Sequence, residues 1–327
     1  MSVTMRDLGK RLGVSAVTVS KALAGKAGVS EEMRRRIIAL AEETGYINPK
    51  QPPEEKGFDI GILVPETFFS GDNFYAMFYK QLLQAMTEAG HFGMLELVTE
   101  EMQRTLTLPN LLRSDKVDAL ILLGQPAEAY TSLLAGQHLP LVALDFHYPS
   151  LPMDAVVGDN IAGAAEMTRH LIARGHRDIG FLGNVKATSS IMERYLGFAS
   201  EMMLHDLPVR PEWVLPDRTD SNIVTPPDLP EKMPTAFVCN CDIVARLFVE
   251  QLRRSGLRVP EDVSIVSYDD FNNVPGSLPL TTFRVDTAAM CRIAVQRVIS
   301  RCEGSSEPFS RVVVGGEGVC RDSVRSL

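Results

Sequence analysis

The chain has 327 residues, enough for about two domains of ordinary size, with 23% charged and 45% hydrophobic residues. No apolar run approaches the roughly 20 residues of a membrane span, and five cysteines are a sparse and odd count, which excludes an integral membrane protein and a disulfide scaffold. The net charge of −8 excludes a uniformly basic protein, but residues 1–50 hold nine Lys/Arg and five Asp/Glu (+4), and the remaining 277 hold 24 and 36 (−12). A basic end on an acidic chain indicates nucleic-acid contact at that end.

The first 46 residues are predicted to form a small all-helical head. Thr4 and Asp7 have the spacing of a capping box, so a helix should begin at Met5. Ser15 should cap a second helix over 16–23, and Ser30 should open a third, with acidic residues in its first turn. The apolar positions expected to form the core of this head are Leu8, Leu12, Val19, Leu23, Met33, Ile37, Leu40 and Ala41.

A linker over 47–57 separates this head from the rest of the chain. It contains three prolines and one other apolar side chain, a composition typical of an extended connection.

From Phe58 onward, short apolar runs alternate with amphipathic helices, which predicts parallel sheets covered by helices. Because about 270 residues are many for one such sheet, we expect two α/β lobes with a ligand cleft at the carboxyl ends of their strands. The strands are expected at 60–64, 93–98, 119–123, 141–144, 179–182, 236–239 and 263–266, and helices at 75–89, 162–174 and 243–255, among others.

The sequence contains none of the common enzyme motifs, such as a phosphate-binding loop, a nucleophile elbow or a zinc-binding HExxH helix. Cys239 and Cys241 have no second ligand pair at metal spacing, so buried thiols are the favoured interpretation. His170 and His176 are expected to lie at the surface or to cap a helix end. We therefore predict no catalytic residues, no metal site and no cofactor.

The segment from Val3 to Gly25 has the pattern of a helix-turn-helix, and its centre reads GVSAVTVSK over 13–21. This motif closely resembles the N-terminal domain of the lac/gal (LacI/GalR) repressor family of bacterial transcriptional regulators. Further resemblance to the family is found in Asp159-Asn160 with Gly163, His170-Leu171, Gly175-His176-Arg177, Arg194 to Phe198, Cys239 to Ala245, Leu257 to Asp270 and Leu280-Thr281-Thr282.

This resemblance covers nearly the whole chain and implies two parts. A helix-turn-helix DNA-binding domain (1–46) would be followed by a two-lobed effector and dimerisation domain (58–327) of the periplasmic-binding-protein type, with parallel sheets. The implied lobes are about 58–158 with 287–315, and about 159–285 with 316–327.

The second helix of the head is the expected reading helix, with Ala16, Val17, Ser20 and Lys21 facing the major groove. The resemblance places Ala16 and Val17 at the main specificity positions, where apolar side chains favour contacts with thymine methyl groups. Lys21 is expected to donate to a guanine or to a phosphate, with a solvated lysine as the alternative. The hydroxyl groups suited to phosphate contacts are those of Thr4, Ser15, Thr18 and Ser20, with helix capping as the alternative for Thr4 and Ser15.

For the effector, the resemblance points to Asp145 and Asp269 at strand ends and to Arg194 at a helix start. Two carboxylates and an arginine suit sugar hydroxyls, which both donate and accept hydrogen bonds; the alternative for Arg194 is a surface ion pair. The aromatic side chains expected to stack on a sugar, or else to pack in the core, are Phe68, Phe74 and Tyr75.

Three departures from the family pattern bear on the site and the linker. Cys241 replaces a common asparagine, and Arg218 stands where well-studied members have an aromatic side chain, which would favour an anionic or very polar effector. Residues 47–57 lack the leucine that wedges into the minor groove in the family, so the sequence leaves open whether this linker inserts there.

Together these features predict a DNA-binding transcriptional regulator, a repressor controlled by a small molecule, with a sugar as the best candidate. We expect a cytoplasmic homodimer on a pseudo-palindromic operator, without membrane contact, secretory signal or tetramerising tail. The alternative is a sugar-binding component of a transport or sensing system, and an enzyme is the least supported class.

Overall fold

The computed structural model describes residues 3–24, 26–44, 46, 57–69, 74–219, 223–271 and 276–327. The chain divides into two units, Met1–Gly57 and Phe58–Leu327, which we call the head and the body. Residues 47–56 of the predicted linker lie outside the described residues, so the expectation for the linker stays a prediction.

The head consists of helices α1 (Met5–Leu12), α2 (Ala16–Leu23) and α3 (Glu31–Glu43). The predicted capping box is present, since Thr4 Oγ1 accepts from the Asp7 amide at 3.3 Å and Asp7 Oδ2 accepts from the Thr4 amide at 3.0 Å. Gly13 has a φ of 68°, a left-handed conformation that glycine adopts without strain and that makes the turn between α1 and α2. The buried core of the head is formed by Leu8, Val19, Ala22, Ile37 and Ala41.

The body alternates strands and helices. In chain order its described elements are β1 (Asp59–Pro65), α4 (Glu66–Phe69), α5 (Phe74–Glu88), β2 (Phe92–Val98), α6 (Glu100–Thr105), α7 (Asn110–Arg113), β3 (Ala119–Leu123), α8 (Glu128–Ala135), β4 (Leu141–Leu144), β5 (Asp154–Gly158), α9 (Asn160–Ala173), β6 (Ile179–Leu182), α10 (Ser189–Leu204), a 3₁₀ turn (Pro211–Trp213), β7 (Val214–Leu215), β8 (Ala236–Cys239), α11 (Asp242–Arg254), β9 (Ser264–Asp269), β10 (Thr281–Val285), α12 (Thr287–Cys302), β11 (Arg311–Val314) and β12 (Gly316–Val319).

These strands form two sheets, each the centre of one lobe. The first sheet has the order β11-β5-β4-β3-β1-β2 and is parallel throughout. The second has the order β12-β10-β9-β8-β6-β7 and is parallel except for β12. The expected fold class, a helical head and a two-lobed body with parallel sheets, is confirmed.

The chain passes from one lobe to the other between β5 and α9, between β10 and α12, and between β11 and β12. As a result, each lobe contains segments that are far apart in sequence. Helix α12 covers the first sheet, where Met290, Ala294 and Val298 are fully buried in the same core as Ile121 and Val142.

Helices α9 and α10 approach each other closely beside the second sheet. A Cβ atom added at Gly197 would lie 2.2 Å from the carbonyl oxygen of Ile161, so only glycine fits this crossing. Arg194 lies in the second turn of α10, slightly deeper in the helix than the predicted helix start.

The expectation for His176 is wrong. Its ring is fully buried, with Nδ1 2.9 Å from Thr235 Oγ1 and Nε2 3.2 Å from the carbonyl oxygen of Arg325. Burial lowers the pKa of His176, which favours the neutral ring. The side chain thus joins the end of α9 to the last residues of the chain.

Candidate DNA-binding helix and effector cleft

The outward face of α2 carries the side chains predicted to contact bases. Val17 is 65% exposed, which is unusual for a valine and leaves an apolar surface free for a partner. Lys21 is also exposed, whereas Ala16 and Ser20 are half-buried. Val19 of the same helix lies in the core of the head.

Three of the predicted phosphate-binding hydroxyls have partners within the head. Ser15 Oγ accepts from the Thr18 amide at 3.1 Å and lies 2.9 Å from Thr18 Oγ1. The Thr4 hydroxyl donates to Asp7 Oδ2 at 2.6 Å. Helix capping, the alternative for Thr4 and Ser15, is therefore what these side chains do in the free head, and their phosphate contacts stay a prediction.

The positive charge of the head lies mostly at its surface. The exposed basic side chains are those of Arg6, Lys10, Arg11, Lys21, Lys26, Arg35 and Arg36. Arg34 differs, because its guanidinium donates to the carbonyl oxygens of Ala22 at 2.9 Å and Lys26 at 2.7 Å. These bonds hold α3 against the end of α2, and no motif in the sequence predicted this role.

In the body, a cavity of about 460 Å³ lies between the two lobes. The eight residues predicted to contact the effector all line it: Phe68, Phe74, Tyr75, Asp145, Arg194, Arg218, Cys241 and Asp269. Lining residues that the sequence did not single out are Thr67, Thr188, Ser190, Ile191, Val224, Asn240, Ile243, Arg246, Leu247 and Glu250. Several of these residues lie within a few positions of Arg194 or Cys241 in the sequence. This closeness to predicted residues was the only signal that could have found them.

Arg194 is fixed from all sides at the cavity wall. Its Nε donates to Asn160 Oδ1 at 2.9 Å, and its Nη1 donates to the carbonyl oxygen of Asn240 at 2.6 Å. Its Nη2 lies 3.4 Å from Asp269 Oδ1, and its Cζ is 3.7 Å from the ring centroid of Tyr268. The alternative of a surface ion pair is wrong, because the Arg194 side chain is only 8% exposed.

The two carboxyl groups predicted to contact the effector come from different lobes. Asp145 Oδ2 accepts from the Tyr75 hydroxyl at 2.8 Å, and burial raises the pKa of Asp145. Burial also raises the pKa of Asp269 to about 8, although the Arg194 charge lowers it. Within the part of the chain that the structure describes, the buried Oδ1 of Asp269 has no hydrogen-bond partner, which leaves it for a hydrogen bond with a ligand.

Arg218 carries a charge that is already balanced. Its Nε and Nη2 donate to Asp217 Oδ2 at 3.0 and 2.7 Å, and Asp217 is fully buried. The same carboxylate accepts from the Asn184 amide at 2.7 Å and from Asn240 Nδ2 at 2.8 Å. The expectation that Arg218 favours an anionic effector therefore loses its basis, although Arg218 does line the cleft.

The aromatic residues form one connected group at the first-lobe wall. The Phe68 and Tyr75 ring centroids are 4.9 Å apart, and Phe74 meets Tyr75 edge-on at 5.3 Å and Phe271 of the second lobe at 5.5 Å. Phe74 is 9% exposed and belongs to the first-lobe core as well as to the cleft. Phe74 therefore packs in the core and also lines the cleft, and its contact with a ligand stays a prediction.

The cysteines near the cleft are protonated thiols. Cys239 is buried, and burial raises the pKa of Cys241 to about 12. Among the described residues, no group of three His, Cys, Asp or Glu side chains is placed to hold a metal ion, and no helix is long and apolar enough to span a membrane.

A helix-turn-helix head followed by a two-lobed α/β body with a cleft between its lobes defines a class of regulatory proteins. Residues 4–48 match the bacterial regulatory proteins of the lacI family, and residues 168–324 match the periplasmic binding protein-like domain. The chain therefore has a lacI-family helix-turn-helix domain and a periplasmic-binding-protein-like domain, which confirms the resemblance found in its motifs.

Relatives of this family match the chain over its full length. The ribose operon repressor of Haemophilus influenzae is 26% identical over 337 residues, which cover 99% of both chains. The structure of the transcriptional regulator CelR in complex with cellobiose superposes with a TM-score of 0.71 at 23% identity, covering 98% of this chain and 99% of that one. The lac repressor dimer bound to operator and an anti-inducer gives a TM-score of 0.69 at 20% identity with full coverage of both chains. These two structures share the fold of this chain.

Proposed function

We propose that the protein is a transcriptional repressor whose affinity for operator DNA is set by a sugar or sugar derivative bound between its lobes. The observation that carries this proposal is the buried Arg194 guanidinium beside Asp269 and Asp145, in a cleft whose first-lobe wall is aromatic. Fixed donors and acceptors next to aromatic rings suit a ligand with hydroxyl groups and apolar faces. Two relatives support a sugar, since one is named for a ribose operon and another was solved with cellobiose.

The charge of Arg218 gives no preference for an anionic effector. The Arg218 guanidinium is paired with the buried side chain of Asp217, so an added anion would find no unbalanced charge at this position. A neutral sugar is therefore the ligand class that we propose first.

At the operator, α2 is the proposed reading helix. Val17 would contact a thymine methyl group, and Lys21 would donate to a guanine or a phosphate. One helix reads few base pairs, so a homodimer with two heads on a pseudo-palindromic site would double the sequence that is read.

The proposed switch is a linkage between the two sites. An effector that binds one opening of the lobes more tightly than another shifts the population of that state. If operator affinity differs between the states, a coupling of about 1–3 kcal/mol gives a useful switch. The operator then changes effector affinity by the same factor, a reciprocity that titrations with and without DNA can measure.

The first test is selection of genomic DNA fragments on the purified protein at low salt, followed by footprinting of the enriched fragments. We expect a pseudo-palindromic protected site. A member of a panel of neutral pentoses, hexoses and disaccharides should weaken or strengthen binding of the protein to this site. Enrichment of no fragment, together with binding of a sugar, would instead favour a transport or sensing protein. Phosphorylated sugars in the same panel test the preference for a neutral ligand.

Two variants separate the sites. Lys21→Ala should weaken operator binding by about 1–3 kcal/mol if Lys21 reads a guanine, and weaken binding to all sequences alike if it contacts a phosphate. Arg194→Met should abolish the response to the sugar. Glu307→Gln serves as the control for both, because Glu307 is 72% exposed in a surface pair with Arg297. A full sugar response in Arg194→Met would refute the proposed site.

A further inference from the structure

Helix α10 belongs to the second lobe, but its first two turns are bonded to the first. The Ser189 amide donates to Gln125 Oε1 at 2.7 Å, and the His147 amide donates to Ser189 Oγ at 3.3 Å. One turn further along, Glu193 Oε1 accepts from Arg311 Nη2 of β11 at 2.5 Å. This ion pair is partly shielded, with the Glu193 side chain 15% exposed and that of Arg311 32%.

The second carboxylate oxygen of Glu193 reaches toward the effector cleft. Glu193 Oε2 accepts from Asn160 Nδ2 at 3.0 Å, and Asn160 Oδ1 in turn accepts from Arg194 Nε at 2.9 Å. Asn160 is only 3% exposed, so its amide group is shielded from water. Arg311, Glu193, Asn160 and Arg194 therefore form one chain of hydrogen bonds from the edge of the first lobe to the cleft.

The donors and acceptors in this series of hydrogen bonds allow only one orientation of the Asn160 amide. A carboxylate can only accept and a guanidinium can only donate, so the Asn160 NH₂ group must face Glu193 and its oxygen must face Arg194. Without the carboxylate, the amide can turn over and present NH₂ to the Arg194 Nε–H, where two donors would oppose each other. The direction of the amide, and with it the place of the guanidinium, depends on Glu193.

We propose that Glu193 is a positioning residue of the effector site: it orients Asn160 to hold Arg194 and, through Arg311, makes that hold depend on the first lobe. This inference rests on the proposed effector site. Glu193 does not line the cavity, so it acts on a ligand only through Arg194. A movement of the lobes that separates Arg311 from α10 changes the partner of Glu193 and reaches Arg194 without any contact between Arg311 and the ligand.

The Arg194 Nε–H group reports on this arrangement directly. In protein labelled with ¹⁵N-arginine, free of DNA and sugar, we expect a side-chain Nε–H signal of Arg194 that exchanges slowly with water, identified by its absence in Arg194→Lys. In Glu193→Gln, the exchange should become about tenfold faster and the signal should shift, since a buried hydrogen bond of about 1.4 kcal/mol is lost. An unchanged signal would overturn the proposal.

Two further variants distinguish positioning of Asn160 from a simple tie between the lobes. Arg311→Met removes the ion pair but keeps the carboxylate beside Asn160, so the signal should change less than in Glu193→Gln. The exchange of charges, Glu193→Arg with Arg311→Glu, restores an ion pair but places a donor beside Asn160, so the Arg194 signal should stay perturbed. A signal like that of the unmodified protein in the exchanged pair would show that the ion pair alone matters, which contradicts the proposal.

Glu307→Gln is the matched control, because it makes the same chemical change in a surface ion pair of the first lobe. It should leave the Arg194 signal in place, and thermal melting of each variant excludes general unfolding. If Glu193→Gln does not fold, Arg311→Met is used instead, because it changes a partly exposed position. An Arg194 signal that does not shift in this variant would overturn the proposal. None of these measurements uses operator or sugar, so failure of the proposed function and failure of this inference are distinguishable.

Discussion

Asp269 shows how one residue can be costly for folding and useful for binding. It closes β9 with a φ of 107°, a conformation rare outside glycine, and its side chain is 7% exposed. Burial raises the pKa of Asp269 to about 8, so near neutral pH the carboxyl group mostly retains a proton that a ligand oxygen can accept.

The raised pKa makes the stability of the body depend on pH. Between about pH 4 and 8 the folded chain keeps a proton on Asp269 that the unfolded chain has released, so this contribution is present at low pH and is lost as pH rises through about 8. We expect the free energy of unfolding to fall from pH 5 to 8, by up to about 1.4 kcal/mol per pH unit from this group. Denaturant titrations of the unmodified protein and Asp269→Asn at several pH values should show that the variant loses this part of the slope.

Asp262→Asn provides the control for that experiment. Arg258 lowers the pKa of Asp262 to about 2, so its contribution is lost only as pH falls toward 2. The slope between pH 5 and 8 should therefore be the same in this variant as in the unmodified protein. Equal slopes in Asp269→Asn and the unmodified protein would contradict the raised pKa.

At this scale the motifs predicted which residues meet in the cleft but not how they are paired. The burial of Arg194 depends on Asn160, Asn240 and Tyr268, which are distant in sequence and meet only in the folded lobe. The pairing of Arg218 with Asp217 depends on the fixed backbone that turns two neighbouring side chains toward each other. Neither arrangement has a periodicity or spacing that a sequence can display.

Among the elements, the buried strands were the most predictable. The predicted limits of β3, β4, β6 and β8 are those of the structure, because continuous apolar runs are typical of parallel strands covered on both faces. Short strands at or near the sheet edges carried no such signal. In β12, for example, the residues are Gly-Glu-Gly-Val and are exposed or half-buried, so only pairing with β10 makes this segment a strand.

The close crossing of α9 and α10 should make a larger residue at Gly197 destabilising. Gly197→Ala would place a methyl group 2.2 Å from the Ile161 carbonyl oxygen, which must force the helices apart. We expect a loss of about 1–3 kcal/mol in the free energy of unfolding, measured by denaturant titration.

Gly136→Ala is the control for this crossing. It lies at the end of α8 with a φ of −75°, and an added Cβ would have its nearest contact at 3.4 Å. Its stability should change little or rise slightly, since alanine restricts the unfolded chain. If both substitutions had equal effects, close packing at Gly197 would not be the cause.

In the whole molecule, charge is divided along the chain, with +4 over residues 1–50 and −12 over the rest. The acidic part of the chain repels DNA, so attraction must come from the basic side chains exposed on the head. We expect this division to keep nonspecific affinity for DNA low, so that contacts made by α2 determine where the protein binds.

Operator binding should therefore be strongly salt-dependent. If a dimer makes six to ten phosphate contacts, its affinity should fall by about 10³–10⁵ between 50 and 200 mM salt. Fluorescence anisotropy with a labelled operator measures this change, and binding of a neutral sugar by the same preparation should change little. An operator affinity independent of salt would exclude the exposed Lys and Arg side chains as the main source of attraction.

The placement of α12 on the first sheet has a consequence for how the protein is made. Strands β1 to β5 leave the ribosome first, but the helix that covers Ile121 and Val142 follows only after Asp159 to Asp286 have been translated. At about 5–20 residues per second, these 128 residues take roughly 6–25 s. Throughout that interval one face of the sheet around β3 to β5 lacks the helix that covers it in the folded lobe. Such an apolar surface is of the kind that chaperones bind, and this lobe cannot be completed until α12 has been translated.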